Sequence, residues 1–155
     1  MLKKIILIIG LLSFGLLASP IKLLDQNAKD IVYQIPLKKF QKFICEAKLK
    51  DGTVIQFVSV KSMLQVYYHQ KYFLDHKLIR SNIADMYVQD FMTGDVLNAK
   101  DALFVFGSRL VGPHGDDLIP LKNQSHVKLF KLEYGGTKIL SYSKISLGLI
   151  RYLDM

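Results

Sequence analysis

Residues 43–58 carry a strand, turn and strand pattern that leaves few folds open to this chain. Phe43, Cys45, Ala47 and Leu49 alternate with mostly charged residues, which is the period of a half-buried strand. Asp51-Gly52 then supplies a tight turn, because the favoured hairpin turns need positive φ, and residues 53–58 return as a second strand. Ser59 can cap a helix, and an apolar stripe predicts that helix over residues 61–74.

The C-terminal part of the chain shows a similar pattern. Phe130, Leu132 and Tyr134 alternate with charged residues, Gly135-Gly136 can turn, and residues 137–142 can return as a strand before a closing helix over 143–153. A shift of 84 residues superposes Gly52-Thr53 on Gly136-Thr137. We therefore predict a duplicated hairpin-plus-helix unit.

Two further strand-like segments, 86–91 and 103–107, lie between these units. Together the patterns predict an α+β fold, an antiparallel sheet with helices on one side. We expect the folded domain to span residues 41–155, with residues 20–40 as an arm leading into it.

The first 19 residues have the three parts of a secretory signal. Lys3 and Lys4 precede an uncharged apolar run from Ile5 to Leu17, and the small residues Ala18-Ser19 follow. We expect residues 1–19 to direct export to the periplasm and to be removed; an uncleaved membrane anchor is the alternative, although the run is short for a span. Because no cysteine follows the run directly, we expect no lipid anchor.

The net charge and the cysteine content limit which partners and which mechanisms are open to this protein. The chain has a formal net charge of +8, but its lysines are dispersed and export argues against nucleic acid as a partner. Its one cysteine, Cys45, lies on the apolar face of a predicted strand, so we interpret it as a small core residue. A mechanism that needs two cysteines cannot operate within one chain.

The segment 107–120 is dense in glycine and proline, a composition that fixes backbone shape. At its centre, His114 stands between Pro113 and Gly115 and is followed by Asp116 and Asp117. These two carboxylates could serve as an acid/base pair or as hard-cation ligands, but adjacent carboxylates more often solvate a loop or cap the next element.

Five segments together resemble the NosL family, copper chaperones that are accessory proteins of nitrous oxide reductase. They are residues 86–91 (MYVQDF), 93–94 (TG), 99–102 (AKDA), 104–108 (FVFGS) and 112–120 (GPHGDDLIP). The resemblance covers residues 37–155 and is strongest over 86–121. It implies a periplasmic copper-binding accessory protein, a metallochaperone with Cu(I) as cargo, whose partner is a copper enzyme such as nitrous oxide reductase.

The chain departs from the family at both of its ligand motifs. The family's Cys-x-x-Cys-Gly-Met run should fall at residues 31–35, which contain neither cysteine nor methionine, and His114 replaces the methionine of its Gly-Pro-Met-Gly loop. Imidazole also binds copper, with less selectivity and with a dependence on pH. The resemblance therefore predicts His114 as a metal ligand. Met92 and Met86 are candidate co-ligands, as are His69, His76 and His126.

The sequence contains no nucleophile elbow, phosphate loop or HExxH helix, so we predict that the protein is not an enzyme. Two alternatives to a copper-binding protein stay open. The first is a NosL-like interaction module that has lost metal binding and works with a cysteine-containing NosL paralogue. The second is an unrelated exported α+β domain.

Overall fold

The computed structural model describes residues 19–155, so the predicted signal lies outside the described residues except for Ser19. The strands of this part are β1 Cys45–Leu49, β2 Val54–Phe57, β3 Ile83–Gln89, β4 Val96–Asn98, β5 Leu103–Phe106, β6 Ile119–Leu121 and β7 Lys138–Ser141. They form two antiparallel sheets, with strand orders β2-β1-β3-β4 and β6-β5-β7.

Four α-helices accompany the sheets in residues 19–155, and they confirm the α+β class. They are α1 Val60–Tyr68, α2 Gln70–Asp75, α3 Gln124–Tyr134 and α4 Leu147–Leu153. Within this range, none of the helices combines the length and the apolar character that a membrane span requires.

The first hairpin forms as predicted. Cys45 pairs with Phe57 and Lys48 with Val54, and Gly52 turns the chain at a φ of +88°. The Ser59 hydroxyl caps α1 by accepting a hydrogen bond from the N–H of Ser62. The helix predicted over 61–74 is broken at His69, where α1 ends and α2 begins.

The second hairpin was predicted wrongly, because residues 130–134 belong to α3. Asn123 caps this helix by accepting from the N–H of His126, and Gly135 ends it at a φ of +70°. Val127 and Phe130, three residues apart, are buried, whereas Leu132 is 82% exposed, so burial follows the helical period. The 84-residue shift therefore relates strand-then-helix units, β2 with α1 and β7 with α4, and leaves β1 without a counterpart.

The segment predicted as an arm packs on the first hairpin. Leu37, Ile44 and Val58 form a buried cluster against which Ile21 and Tyr33 pack. Lys29 and Pro36 form an isolated antiparallel bridge, which closes a loop over residues 30–35. The fold thus holds this loop on the surface of the sheet, close to the start of α1.

Candidate functional site

Two loops distant in sequence, 30–35 and 112–115, meet on one side of the domain. The rings of Tyr33 and His114 stack face to face, with centroids 4.0 Å apart and planes inclined by 13°. The resemblance to the NosL family places its cysteine run at residues 31–35 and its loop methionine at residue 114. The structure therefore brings together the two segments in which the family's ligands are expected.

A buried carboxylate shapes the first loop. Asp30 Oδ1 accepts hydrogen bonds from the N–H of Val58 at 2.9 Å and from the Ser62 hydroxyl at 2.6 Å. Its Oδ2 accepts from the N–H groups of Val32 and Tyr33 at 3.0 and 2.8 Å. Asp30 is fully buried, and these four bonds satisfy it while they hold Tyr33 in place.

The second loop is a tight turn with His114 at its tip. The Gly112 N–H donates to the carbonyl of Gly115 at 2.8 Å, and Gly115 has a φ of +78°. A Cβ on Gly112 would lie 2.9 Å from the Cβ of Asp117, so only glycine fits there without displacement. The His114 side chain remains 51% exposed.

A buried lysine ties this loop to the rest of the site. The side chain of Lys61 is inaccessible to solvent, and its ammonium donates to the carbonyls of His114 at 2.5 Å and Leu153 at 3.0 Å. The same nitrogen lies 3.8 Å from Asp154 Oδ1 and 5.5 Å from the centroid of the Tyr33 ring. Lys61 thus connects α1, both loops and the end of α4.

Asp154 contacts both stacked rings. Its Oδ1 accepts from the Tyr33 hydroxyl at 2.6 Å and lies 3.7 Å from His114 Nδ1. Burial first, and then the Asp154 carboxylate, raise the pKa of Tyr33 well above its ordinary value. Tyr33 therefore stays protonated, and its phenol acts as a donor to Asp154 rather than as an anionic metal ligand.

Asp117 lies beneath the second loop, while its neighbour Asp116 is exposed. The Oδ1 of Asp117 accepts from the N–H groups of Lys61 and Leu118, both at 2.9 Å, but Oδ2 accepts no hydrogen bond from the described residues. Burial raises the pKa of Asp117 to about 6, although the nearby Ser59 hydroxyl, these N–H groups and the Lys61 charge oppose the shift. The two adjacent aspartates thus have different environments.

Neither Met86 nor Met92, the predicted methionine co-ligands, lines the depression beside His114. Met86 is 6% exposed on β3, and Met92 is 37% exposed in a groove with Phe91 and Thr93. The depression beside His114 is lined by other residues, namely Gly115, Asp116, Tyr152, Leu153, Asp154 and Met155. Met155 is thus the one methionine that lines this depression among residues 19–155.

The other histidines have partners elsewhere. His69 Nδ1 lies 2.9 Å from the carbonyl of Gln65, and His76 packs on Tyr72 with centroids 4.1 Å apart. His126 lies in α3, with Nδ1 2.8 Å from Asp90 Oδ2.

Residues 19–155 contain no cluster of three or more histidine, cysteine or acidic side chains able to hold a metal ion. Cys45 is fully buried in the core, and burial raises the pKa of its thiol well above the ordinary value. Sequence reasoning missed Asp30, Lys61 and Asp154 as parts of the site. A lysine or aspartate in an amphipathic segment carries no signal that distinguishes burial from solvation.

The geometry thus defines an α+β domain that presents one exposed histidine where two anchored loops converge. The model of the NosL family matches residues 20–150, and the chain belongs to this family. This membership excludes the alternative of an unrelated exported domain.

The fold is similar to the crystal structure of the copper chaperone NosL from Shewanella denitrificans. The TM-score is 0.63 at 19% identity, covering 84% of this chain and 98% of that one. The solution structure of apo-NosL from Achromobacter cycloclastes matches with a TM-score of 0.48 at 18% identity, covering 68% of this chain and 87% of that one. A comparison with curated proteins finds no match. The family assignment agrees with the prediction that the protein is not an enzyme.

Proposed function

We propose that this chain is an exported, periplasmic accessory protein in copper supply, with His114 as the residue that contacts the metal. The observation that carries the proposal is the convergence of loops 30–35 and 112–115, which stacks Tyr33 on His114. Membership of the NosL family and a fold similar to that of a copper chaperone support a role with copper.

The side chains around His114 favour a copper ion that this chain binds together with a partner, rather than one that it encloses alone. Tyr33 keeps its proton, and the Lys61 ammonium, 3.8 Å from Asp154 Oδ1, opposes a second cation on that carboxylate. His114 is then the principal ligand from this chain, and one imidazole is an incomplete site for copper. The remaining ligands come from a partner, either a copper enzyme such as nitrous oxide reductase or a NosL paralogue that retains its cysteines.

One observation favours a second candidate, an interaction module without metal. Tyr33 covers one face of His114 and Asp154 lies near its Nδ1, so the ring already has protein partners on two sides. In this case the same surface would bind a protein partner and leave copper to the paralogue.

Anaerobic titration of the mature domain with Cu(I), against a competing chelator, distinguishes the two functions. Under the copper proposal, His114→Ala lowers the affinity at least about tenfold, whereas His114→Met keeps or raises it because a thioether suits Cu(I). His76→Ala is the matched control, since His76 is also exposed and also packed on a tyrosine. Affinities that are equal in wild type, His114→Ala and His76→Ala would contradict a role for His114 in copper binding.

A further inference from the structure

A groove lies next to the depression at His114. Its floor is apolar and is formed by Phe106 and Leu140 from the second sheet and by Leu149 and Tyr152 from α4. The groove has a volume of about 470 Å³. Tyr152, which is 59% exposed, lines both the groove and the depression at His114, so the two are neighbours.

The remaining lining residues determine the charge of the groove. Lys138 and Lys144 are exposed at its rim, and no carboxylate lines it. The groove lies over one face of the second sheet, because Phe106 of β5 and Lys138 of β7, which are paired in that sheet, both line it.

We propose that this groove docks an extended acidic segment of a protein partner, with an apolar side chain against Tyr152 and Leu149 and carboxylates facing Lys138 and Lys144. A basic rim around an apolar floor is complementary to such a segment, and a cationic partner would be repelled. The purpose of the docking rests on the proposed function: a partner docked here is held next to the depression at His114, because Tyr152 lines both, and it can supply the missing copper ligands.

The test uses the mature protein without copper and a synthetic probe, an acetylated and amidated peptide of sequence Glu-Glu-Leu-Leu-Glu-Glu. We expect NMR shift changes confined to β7, α4, the residues between them and Phe106 at the end of β5. Lys138→Glu combined with Lys144→Glu should weaken binding at least about tenfold, and so should replacing both leucines of the peptide by serine.

The matched control variant is Lys48→Glu with Lys128→Glu, two exposed lysines on β1 and α3 that do not line the groove. It carries the same change in net charge and should alter the affinity less than about twofold. Three results would overturn the proposal: both double variants lower the peptide affinity equally, replacing the leucines leaves the affinity unchanged, or the peptide does not bind. Because the peptide experiment contains no copper, its result does not affect the interpretation of the His114 titration. A titration that shows no role for His114 likewise does not affect the peptide experiment.

Discussion

The buried base and the exposed tip of the site differ in how firmly the fold specifies them. At the base, Asp30, Lys61 and Asp117 are almost fully buried and hold both loops through hydrogen bonds to backbone groups. At the tip, His114 is half exposed and makes one stacking contact with Tyr33. The scaffold can therefore persist while the ligand side chains change, because the hydrogen bonds that shape the loops do not involve those side chains.

We expect the largest loss of stability when Asp30, the buried carboxylate that shapes the first loop, is removed. Asp30→Ala leaves the N–H groups of Val32, Tyr33 and Val58 without their acceptor, and should lower the free energy of unfolding by about 3 kcal/mol in urea denaturation. Asp25→Ala is the control, since Asp25 is an exposed aspartate of the same segment that accepts one local bond from Asn27. Equal losses in the two variants would show that Asp30 is not a structural anchor.

A further loss of stability is expected from replacing Lys61, the lysine that joins the two loops. Lys61→Met removes the donor to the carbonyls of His114 and Leu153, so we expect a loss of about 2 kcal/mol in unfolding free energy. The His114 ring signals in NMR should also move, because Tyr33 no longer stacks on a fixed partner. Lys128→Met, on the exposed face of α3, should change neither. An unchanged His114 signal in Lys61→Met would show that Lys61 does not position His114.

The effect expected from Asp117 depends on pH. Its pKa of about 6 in the folded state exceeds the ordinary unfolded value of about 3.9, so the folded state binds the proton more tightly. The contribution of this group to stability is therefore greatest below pH 4 and falls by about 3 kcal/mol in total as the pH rises through 6. The neutral variant Asp117→Asn should lack this decline.

Urea denaturation at several pH values measures the difference between wild type and Asp117→Asn. Other carboxylates titrate in both proteins and cancel in the difference. A difference that stays constant between pH 4 and 7 would indicate that Asp117 has an ordinary pKa.

The features that were predictable from sequence are those with a local physical signal. The Asp51-Gly52 hairpin follows from short-range alternation and turn chemistry, and β5 follows from a short continuous apolar run. The segment 130–134 was predicted wrongly because Phe130, Leu132 and Tyr134 alternate with charged residues as in a strand, although Leu132 is exposed in the helix and does not share the buried face of Phe130. The cap at Asn123 and the stop at Gly135 carried the correct signal.

The composition of the site was only partly predictable. His114 followed from its loop, and residues 31–35 from their resemblance to the family pattern. The roles of Lys61 and Asp154 depend on contacts across 53 and 121 residues of chain, to His114 and Tyr33 respectively, and no local pattern reports such contacts. The positions of Met86 and Met92 also depend on the tertiary fold.

The central claim is that loops 30–35 and 112–115 form one metal-facing site. A double-mutant cycle tests it by restoring sulfur ligands with Tyr33→Cys and His114→Met, measuring Cu(I) affinity in wild type, both single variants and the double variant. Since the two rings are in contact, we expect the double variant to bind Cu(I) more tightly than the two single variants together predict. The affinity should exceed the product of the two single-variant effects by at least about tenfold. Strictly additive effects would contradict a shared site.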